Sequence, residues 1–164
     1  MSLMSDIKYQ IVTPVVTALR LPGDNTARIQ ITTGIGNVES GYRTKVQGNN
    51  GPARGFFQME PNTHDDLWRS YLPAHPDLSA IIKGFMPSRF VGQPIGNGAQ
   101  ALLESDAYAA AMTTILIRRS PYALAVKGDA SGQCSMWKSA YNSSLGAGVV
   151  NAASIALFQA AIDA

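Results

Sequence analysis

Glu39 is the residue of this 164-residue chain whose type and position are best suited to acid–base chemistry. It lies in the segment Gly36–Tyr42, where Gly41 predicts the end of a helix. A carboxylic acid held in a cleft can protonate the bridging oxygen of a glycosidic bond and then take a proton back. Such an acid works near neutral pH when apolar neighbours raise its pKa. The candidates for these neighbours are Phe56, Phe57 and Tyr141.

Two further motifs follow Glu39 in the chain. The segment Gly55–Met59 reads Gly-Phe-Phe-Gln-Met and contains Gln58, and the segment Ser139–Asn142 reads Ser-Ala-Tyr-Asn and contains Tyr141. A glutamate near a helix end is ordinarily a solvated surface residue when it stands alone. A catalytic interpretation of Glu39 depends on its occurrence together with the other two motifs, through the family resemblance that these motifs carry.

These three motifs, in this order, resemble those of the lytic transglycosylase and goose-type lysozyme branch of the lysozyme-like superfamily. The family pattern is a Glu-Ser pair, a glycine-to-glutamine element and an Ala-Tyr-Asn element. The resemblance covers residues 24–63 closely and residues 99–158 loosely, whereas residues 64–98 match no segment of the family. The segments Gly51–Pro61 and Met136–Ser143 are similar to phage and prophage members.

The resemblance implies a role for each matching residue. Glu39 would be the general acid and then the general base, and Gln58 would hold sugar or peptide-side groups of the substrate. Tyr141 would contact Glu39 or the N-acetyl group. For Phe56 and Phe57, packing in the core is the alternative, and we expect it for at least one of them. The full set of substrate-binding residues that we expect is Ser40, Phe57, Gln58, Glu60, Tyr141 and Asn142.

Glu60 is the candidate for the second carboxylate that most glycosidases use. On an extended strand, Gln58 and Glu60 would face the same side. The alternative is a solvated or structural glutamate, which we favour. The resembling family works without a second acid, because the muramic acid's own hydroxyl or acetamido group is the nucleophile and the product is a 1,6-anhydro sugar.

The function implied by the resemblance is cleavage of the β-1,4 bond between N-acetylmuramic acid and N-acetylglucosamine in peptidoglycan, as a lytic transglycosylase. A hydrolytic lysozyme with the same site is one alternative. A non-catalytic virion structural or glycan-binding protein is another. The expected partners are glycan strands and virion components. The protein would be made in the bacterial cytoplasm and would act at the cell wall.

Composition excludes several other classes. The net charge of +2, with no run of Lys and Arg, does not predict nucleic-acid binding. No apolar run approaches the ~20 residues that a membrane span needs, and residues 1–6 do not resemble a secretory signal. His64 and His75 lack the spacing of a zinc site, so we expect neither metal nor cofactor. Cys134 is the single cysteine and is expected to be a buried thiol.

The length and hydrophobic pattern predict one domain over residues 4–164, with residues 1–3 as a cloning remnant. The fold class that we expect is α+β, mostly α: a lysozyme-like fold with a small β-sheet region beside the active-site cleft. A helix should run from a cap at residues 24–26 to Glu39, and residues 99–119 should form one long helix. Residues 42–60 should form the sheet wall of the cleft.

Overall fold

The computed structural model describes residues 1–142 and 146–164. In these ranges the α-helices are α1 Leu3–Ile7, α2 Thr13–Leu19, α3 Asn25–Ser40, α4 Pro61–Ser70, α5 Pro76–Lys83, α6 Gly98–Glu104, α7 Asp106–Arg119, α8 Ala130–Met136 and α9 Ala152–Asp163. Two π-helical segments continue α1 and α8 and comprise Lys8–Val12 and Trp137–Asn142. Short 3-10 turns lie at Leu72–Ala74 and Ser88–Phe90. No described helix is both long enough and apolar enough to cross a membrane.

The expected α+β class with a small sheet is wrong, because the described chain is helical and contains no strand. Residues 42–60 make only two isolated antiparallel bridges, Val46 with Arg54 and Arg54 with Met59. A strand needs consecutive residues in the extended region of backbone space. This segment instead contains five residues with left-handed φ angles, which turn the chain before a ladder can form: Tyr42, Asn49, Asn50, Gly55 and Gln58.

Helix α3 has the bounds that its sequence predicted. The Asp24 carboxylate accepts hydrogen bonds from the Thr26 and Ala27 amides at the N-terminus. Gly41 adopts φ 58° and its amide donates to the Asn37 carbonyl, which ends the helix. Glu39 therefore lies in the last turn of α3.

Two glycines let other elements approach α3 more closely than any larger residue would allow. The ring of Phe158, from α9, lies where a Cβ on Gly34 would be, and the ring of Tyr42 lies where a Cβ on Gly36 would be. The Tyr42 hydroxyl donates to the Thr33 carbonyl at 2.7 Å. Glycine costs a helix up to ~1 kcal/mol relative to alanine, and here the close packing of α9 and of the chain after α3 offsets that cost.

The long helix predicted at residues 99–119 is interrupted at Ser105. This residue is extended, with ψ 107°, and its side chain caps α7 by accepting from the Tyr108 amide at 3.1 Å. Its hydroxyl also donates to the Phe85 carbonyl at 2.8 Å. Residues 108–117 of α7 are all buried, so α7 is the central helix of the core.

A buried hydrogen-bond network joins α4 to α7. The Tyr108 hydroxyl accepts from the Trp68 indole at 3.0 Å and lies 2.6 Å from Nε2 of His64. Indole nitrogen is only a donor, so the Tyr108 proton is available for His64 Nε2. His64 Nδ1 then donates to Asp65 at 2.8 Å. His64 is therefore a structural residue of the core, and its burial lowers its pKa.

The contact between Gly34 and Phe158 makes a first prediction. Gly34→Ala should lower the free energy of unfolding by about 1–3 kcal/mol, because the new methyl group overpacks a buried ring. The better helix propensity of alanine recovers part of this loss. Urea denaturation measures the difference. Gly92→Ala is the control, since no atom lies within 4 Å of its added Cβ. A Gly34→Ala protein as stable as the parent would contradict the close packing.

Candidate active site

Glu39, Gln58 and Tyr141 line one open groove with a volume of about 1080 Å³. The end of α3 and residues from the 44–63 segment contribute to its lining. The π-helical segment Trp137–Asn142 and residues from the 146–157 segment also line it. Three motifs that are far apart in sequence thus meet at one concave surface, where ligand sites usually lie.

The Glu39 carboxyl group is half-buried at the C-terminal end of α3. Its Oε1 atom accepts a hydrogen bond from the Trp137 indole Nε1 at 2.7 Å. Burial raises the pKa of Glu39, and the hydrogen-bonding side chains of Trp137 and Asn142 offset only part of that rise. The partial negative charge at a helix C-terminus also disfavours a carboxylate there. The group is therefore suited to hold a proton closer to neutral pH than an exposed glutamate can.

Trp137 is the site residue that sequence reasoning missed. Its indole is only 3% exposed, and it lies at the start of the π-helical segment that also contains Tyr141 and Asn142. The wider turn of a π-helix brings residues four and five apart to nearly the same side, and such turns are frequent at functional sites. The signal in the sequence was a tryptophan four residues before the tyrosine of the third motif.

Tyr141 joins the π-helical segment to the Gly55–Met59 turn. Its hydroxyl donates to the Phe57 carbonyl at 2.5 Å. Burial and the nearby Glu39 charge both raise the pKa of Tyr141, so the phenol stays neutral. Tyr141 therefore holds the second and third motifs together beside the acid.

Asn142 organises the edge of the groove beyond Tyr141. Its Oδ1 atom accepts from Lys138 Nζ at 2.9 Å and from the Gly148 amide at 3.1 Å. These donors orient the Oδ1 atom and leave the Nδ2 hydrogens for other acceptors. The predicted element Ser139–Asn142 thus contributes both a phenol and an amide to the groove.

Gln58 has a left-handed backbone, with φ 51°, at the tip of its turn. Its Nε2 donates to the Gly55 carbonyl at 2.8 Å, which leaves Oε1 without a partner in the described residues. Sparsely populated backbone conformations in non-glycine residues often occur at binding sites. Phe57 is different, because its side chain is only 1% exposed and packs edge-on against Tyr42 in the core. The Phe57 carbonyl, in contrast, accepts the hydrogen bond from the Tyr141 hydroxyl.

Ser40 and Glu60 occupy different environments. The Ser40 hydroxyl donates to the Phe56 carbonyl at 2.6 Å and accepts from the Tyr42 amide at 3.0 Å. Ser40 thereby fastens the end of α3 to the turn of the second motif, and it is not a lining residue of the groove. Glu60 is exposed, precedes α4 and lines the groove. Among the described residues, Glu39 and Glu60 are the carboxylates that line it.

No metal centre is visible in the described part of the chain, where no group of three or more His, Cys, Asp or Glu side chains could hold an ion. The chain matches no protein-family model, no curated protein and no solved structure.

The environment of Glu39 makes a second prediction, about stability and pH. A raised pKa means that the folded protein keeps a proton which the unfolded chain releases, so stability falls as pH rises through the raised pKa. Glu39→Gln removes this penalty. The stability of the variant relative to the parent should be lowest near pH 4 and should increase toward pH 7.5. Melting temperatures across this range measure it.

Glu104→Gln is the control with the opposite sign. The hydrogen bond from Arg89 lowers the pKa of Glu104, so this carboxylate stabilises the fold as pH rises. The pair is exposed, so its effect should be small. A Glu39→Gln difference that does not change with pH would mean that the Glu39 carboxyl is not held in a disfavouring environment.

Proposed function

We propose that this protein is a muralytic enzyme that cleaves the β-1,4 bond between N-acetylmuramic acid and N-acetylglucosamine in peptidoglycan, as a lytic transglycosylase. The observation that carries the proposal is the half-buried Glu39 carboxyl, which is hydrogen-bonded to Trp137 in the groove that Gln58 and Tyr141 also line. The motif resemblance supports the same reading. Membership of the lytic transglycosylase and goose-type lysozyme branch is part of this proposal.

In the proposed reaction Glu39 is the only acid and base. Its carboxylic proton moves to the glycosidic oxygen as the bond from that oxygen to C1 of the muramic acid breaks. The C6 hydroxyl of the same sugar then attacks C1, and the Glu39 carboxylate accepts the hydroxyl proton. The products are a 1,6-anhydromuramic acid end and a free N-acetylglucosamine hydroxyl, and the acid is regenerated. Water in place of the C6 hydroxyl would give a lysozyme.

The chemistry of the groove suits an uncharged sugar polymer. The groove is open to solvent and as large as the largest small-molecule pockets, which reach about 1,000 Å³. Arg119 is the cation that lines the groove in the described part of the chain, and it is paired with Asp66 at 2.5 Å. The groove also offers amides and hydroxyls, which pair with sugar hydroxyl and acetamido groups: Thr44, Gln47, Gln58, Thr63, Asn142 and Asn151.

The proposed site of action is the bacterial cell wall. The similarity to phage and prophage proteins suggests delivery with a virion or through a holin. Glycan strands are then the substrate, and virion components are the proposed protein partners.

Digestion of purified sacculi followed by mass analysis tests the proposal. Anhydro ends support the transglycosylase, and reducing ends identify a lysozyme with the same acid. Binding to sacculi without release of fragments would contradict the enzymatic function and would support a virion structural or glycan-binding protein instead.

A third prediction compares the two groove glutamates. Glu39→Gln should abolish release of muropeptides, because the amide keeps the shape of the side chain but has no transferable proton. Glu60→Gln is the matched control and should retain activity within about twofold, since a single-acid mechanism does not need it. Loss of activity in Glu60→Gln alone would instead indicate a second catalytic carboxylate.

A fourth prediction concerns the supporting residues. Gln58→Ala and Tyr141→Phe should each lower kcat/KM by less than Glu39→Gln does, because loss of a proton donor costs ~10²–10⁴ in rate. Tyr141→Phe removes the hydrogen bond to the Phe57 carbonyl and keeps the ring. Rates on sacculi give the comparison. A Tyr141→Phe variant as inactive as Glu39→Gln would make the phenol a participant in proton transfer.

A further inference from the structure

The contact between Trp137 and Glu39 distinguishes the two oxygens of the carboxyl group. The indole Nε1 lies 2.7 Å from Oε1, and an indole N–H can donate but never accept. Because the indole is buried, water is a poor substitute partner for this donor. Oε1 must therefore offer a lone pair to Trp137 whether Glu39 is ionised or neutral.

We propose that Trp137 is the positioning residue of this acid: its indole N–H occupies Oε1, so the proton delivered to the substrate is carried by Oε2 of Glu39. The transfer of this proton to a substrate rests on the proposed function. The assignment of the proton to Oε2 rests on the contact between Trp137 and Glu39. The site would then present its acid in one orientation rather than in two.

The surroundings of Trp137 prevent the indole from turning away. The ring packs against Phe158 of α9, with ring centroids 6.2 Å apart. On another side it lies against Gly148, where an added Cβ would overlap the indole. Phe158 is itself fixed against Gly34 of α3, the helix that carries Glu39. The donor and its acceptor are thus connected through one packed set of side chains.

The contact also favours the direction of the proposed reaction. While Glu39 is neutral, Trp137 donates to an uncharged oxygen. When the proton leaves, the same hydrogen bond becomes charge-assisted, and such bonds are roughly twice as strong. The indole therefore stabilises the carboxylate as it forms, and interactions that strengthen along the reaction are those that increase kcat.

Other charges near Glu39 must be separated from this effect. Besides Glu39, the charged and titratable groups that line the groove in the described residues are Glu60, Arg119 and Tyr141. The segments that adjoin this end of α3 also carry Tyr42, Arg43, Lys45, Arg54 and Lys138. Lys45 is paired with Asp106 at 2.7 Å, and Lys138 donates to Asn142. Glu60 is the other carboxylate in the groove, so Glu60→Gln serves as the control for a titration assigned to Glu39.

The chain has two tryptophans, which allows a direct test in the intact protein. In ¹⁵N-labelled protein each indole N–H gives one resonance, and Trp68 donates to Tyr108 rather than to a carboxylate. The Trp137 resonance should shift with a single titration as pH is varied, while the Trp68 resonance should not follow it. The shift should vanish in Glu39→Gln and remain in Glu60→Gln. A Trp137 resonance that does not titrate, or that titrates in Glu39→Gln, overturns the proposal.

Trp137→Phe tests the consequence for the acid. Loss of the donor destabilises the carboxylate, so the alkaline limb of the pH profile of kcat/KM should move up by roughly one pH unit. Trp68→Phe, which also loses a buried indole, should leave the limb in place. An unmoved limb in Trp137→Phe overturns the proposal. If Trp137→Phe does not fold, the indole titration in the parent protein decides.

The same measurements separate this proposal from the proposed function. A parent protein that leaves sacculi intact while its Trp137 resonance titrates with Glu39 removes the muralytic function and supports the fixed orientation of the carboxyl group. If the protein cleaves sacculi but the Trp137 resonance does not change with pH, the proposed function is supported and the positioning role of Trp137 is overturned.

Discussion

The partly buried carboxyl group of Glu39 is the constraint on which the architecture of the groove depends. A carboxylate at the C-terminal end of a helix is disfavoured by desolvation and by the helix dipole. The fold keeps it there with the side chain of Asn142 and with a buried donor from a distant segment, the Trp137 indole. The packing of α9 on α3 through Gly34 and Phe158 holds that donor in place. An acid group with a raised pKa is thus maintained at a cost in stability that the core offsets.

The second constraint is the tight connection between the end of α3 and the turn that contains Gln58. The hydroxyls of Ser40, which precedes this turn in the chain, and of Tyr141, which follows it, both donate to backbone carbonyls of the turn. Hydrogen bonds from side chains to a loop backbone replace the strand ladder that would otherwise hold such a segment. The groove wall is therefore ordered although the described chain has no sheet there.

The predicted site residues fall into two groups, those that line the groove and those that support it. Gln58 and Asn142 present polar groups to the groove, whereas Ser40 and the Phe57 side chain lie in the supporting structure. A sequence motif does not indicate which of its residues line the groove, because the side chains of adjacent residues in a turn point to different sides. Burial and hydrogen-bond partners make it.

Local sequence was sufficient where local physics decides. Asp24 and Gly41 specify the two ends of α3, and hence the place of Glu39 in its last turn. Residues 42–60 were expected to form a sheet wall, but the left-handed conformations in this segment turn the chain before a ladder can form. The break at Ser105 was not predicted, because an Ala- and Leu-rich stretch favours one continuous helix. The structure shows the break through the capping role of the Ser105 side chain.

Tertiary structure alone decided the partner of the acid. Trp137 and Glu39 are 98 residues apart, and their contact depends on a π-helical register that no local pattern specifies. The contact also depends on Gly34 and Gly148, which have no side chains and so leave room for the rings of Phe158 and Trp137. Sequence thus determined which residue is the candidate acid and where its helix ends. The packed fold determined which oxygen is held and by what, because such contacts follow from the shapes of distant segments.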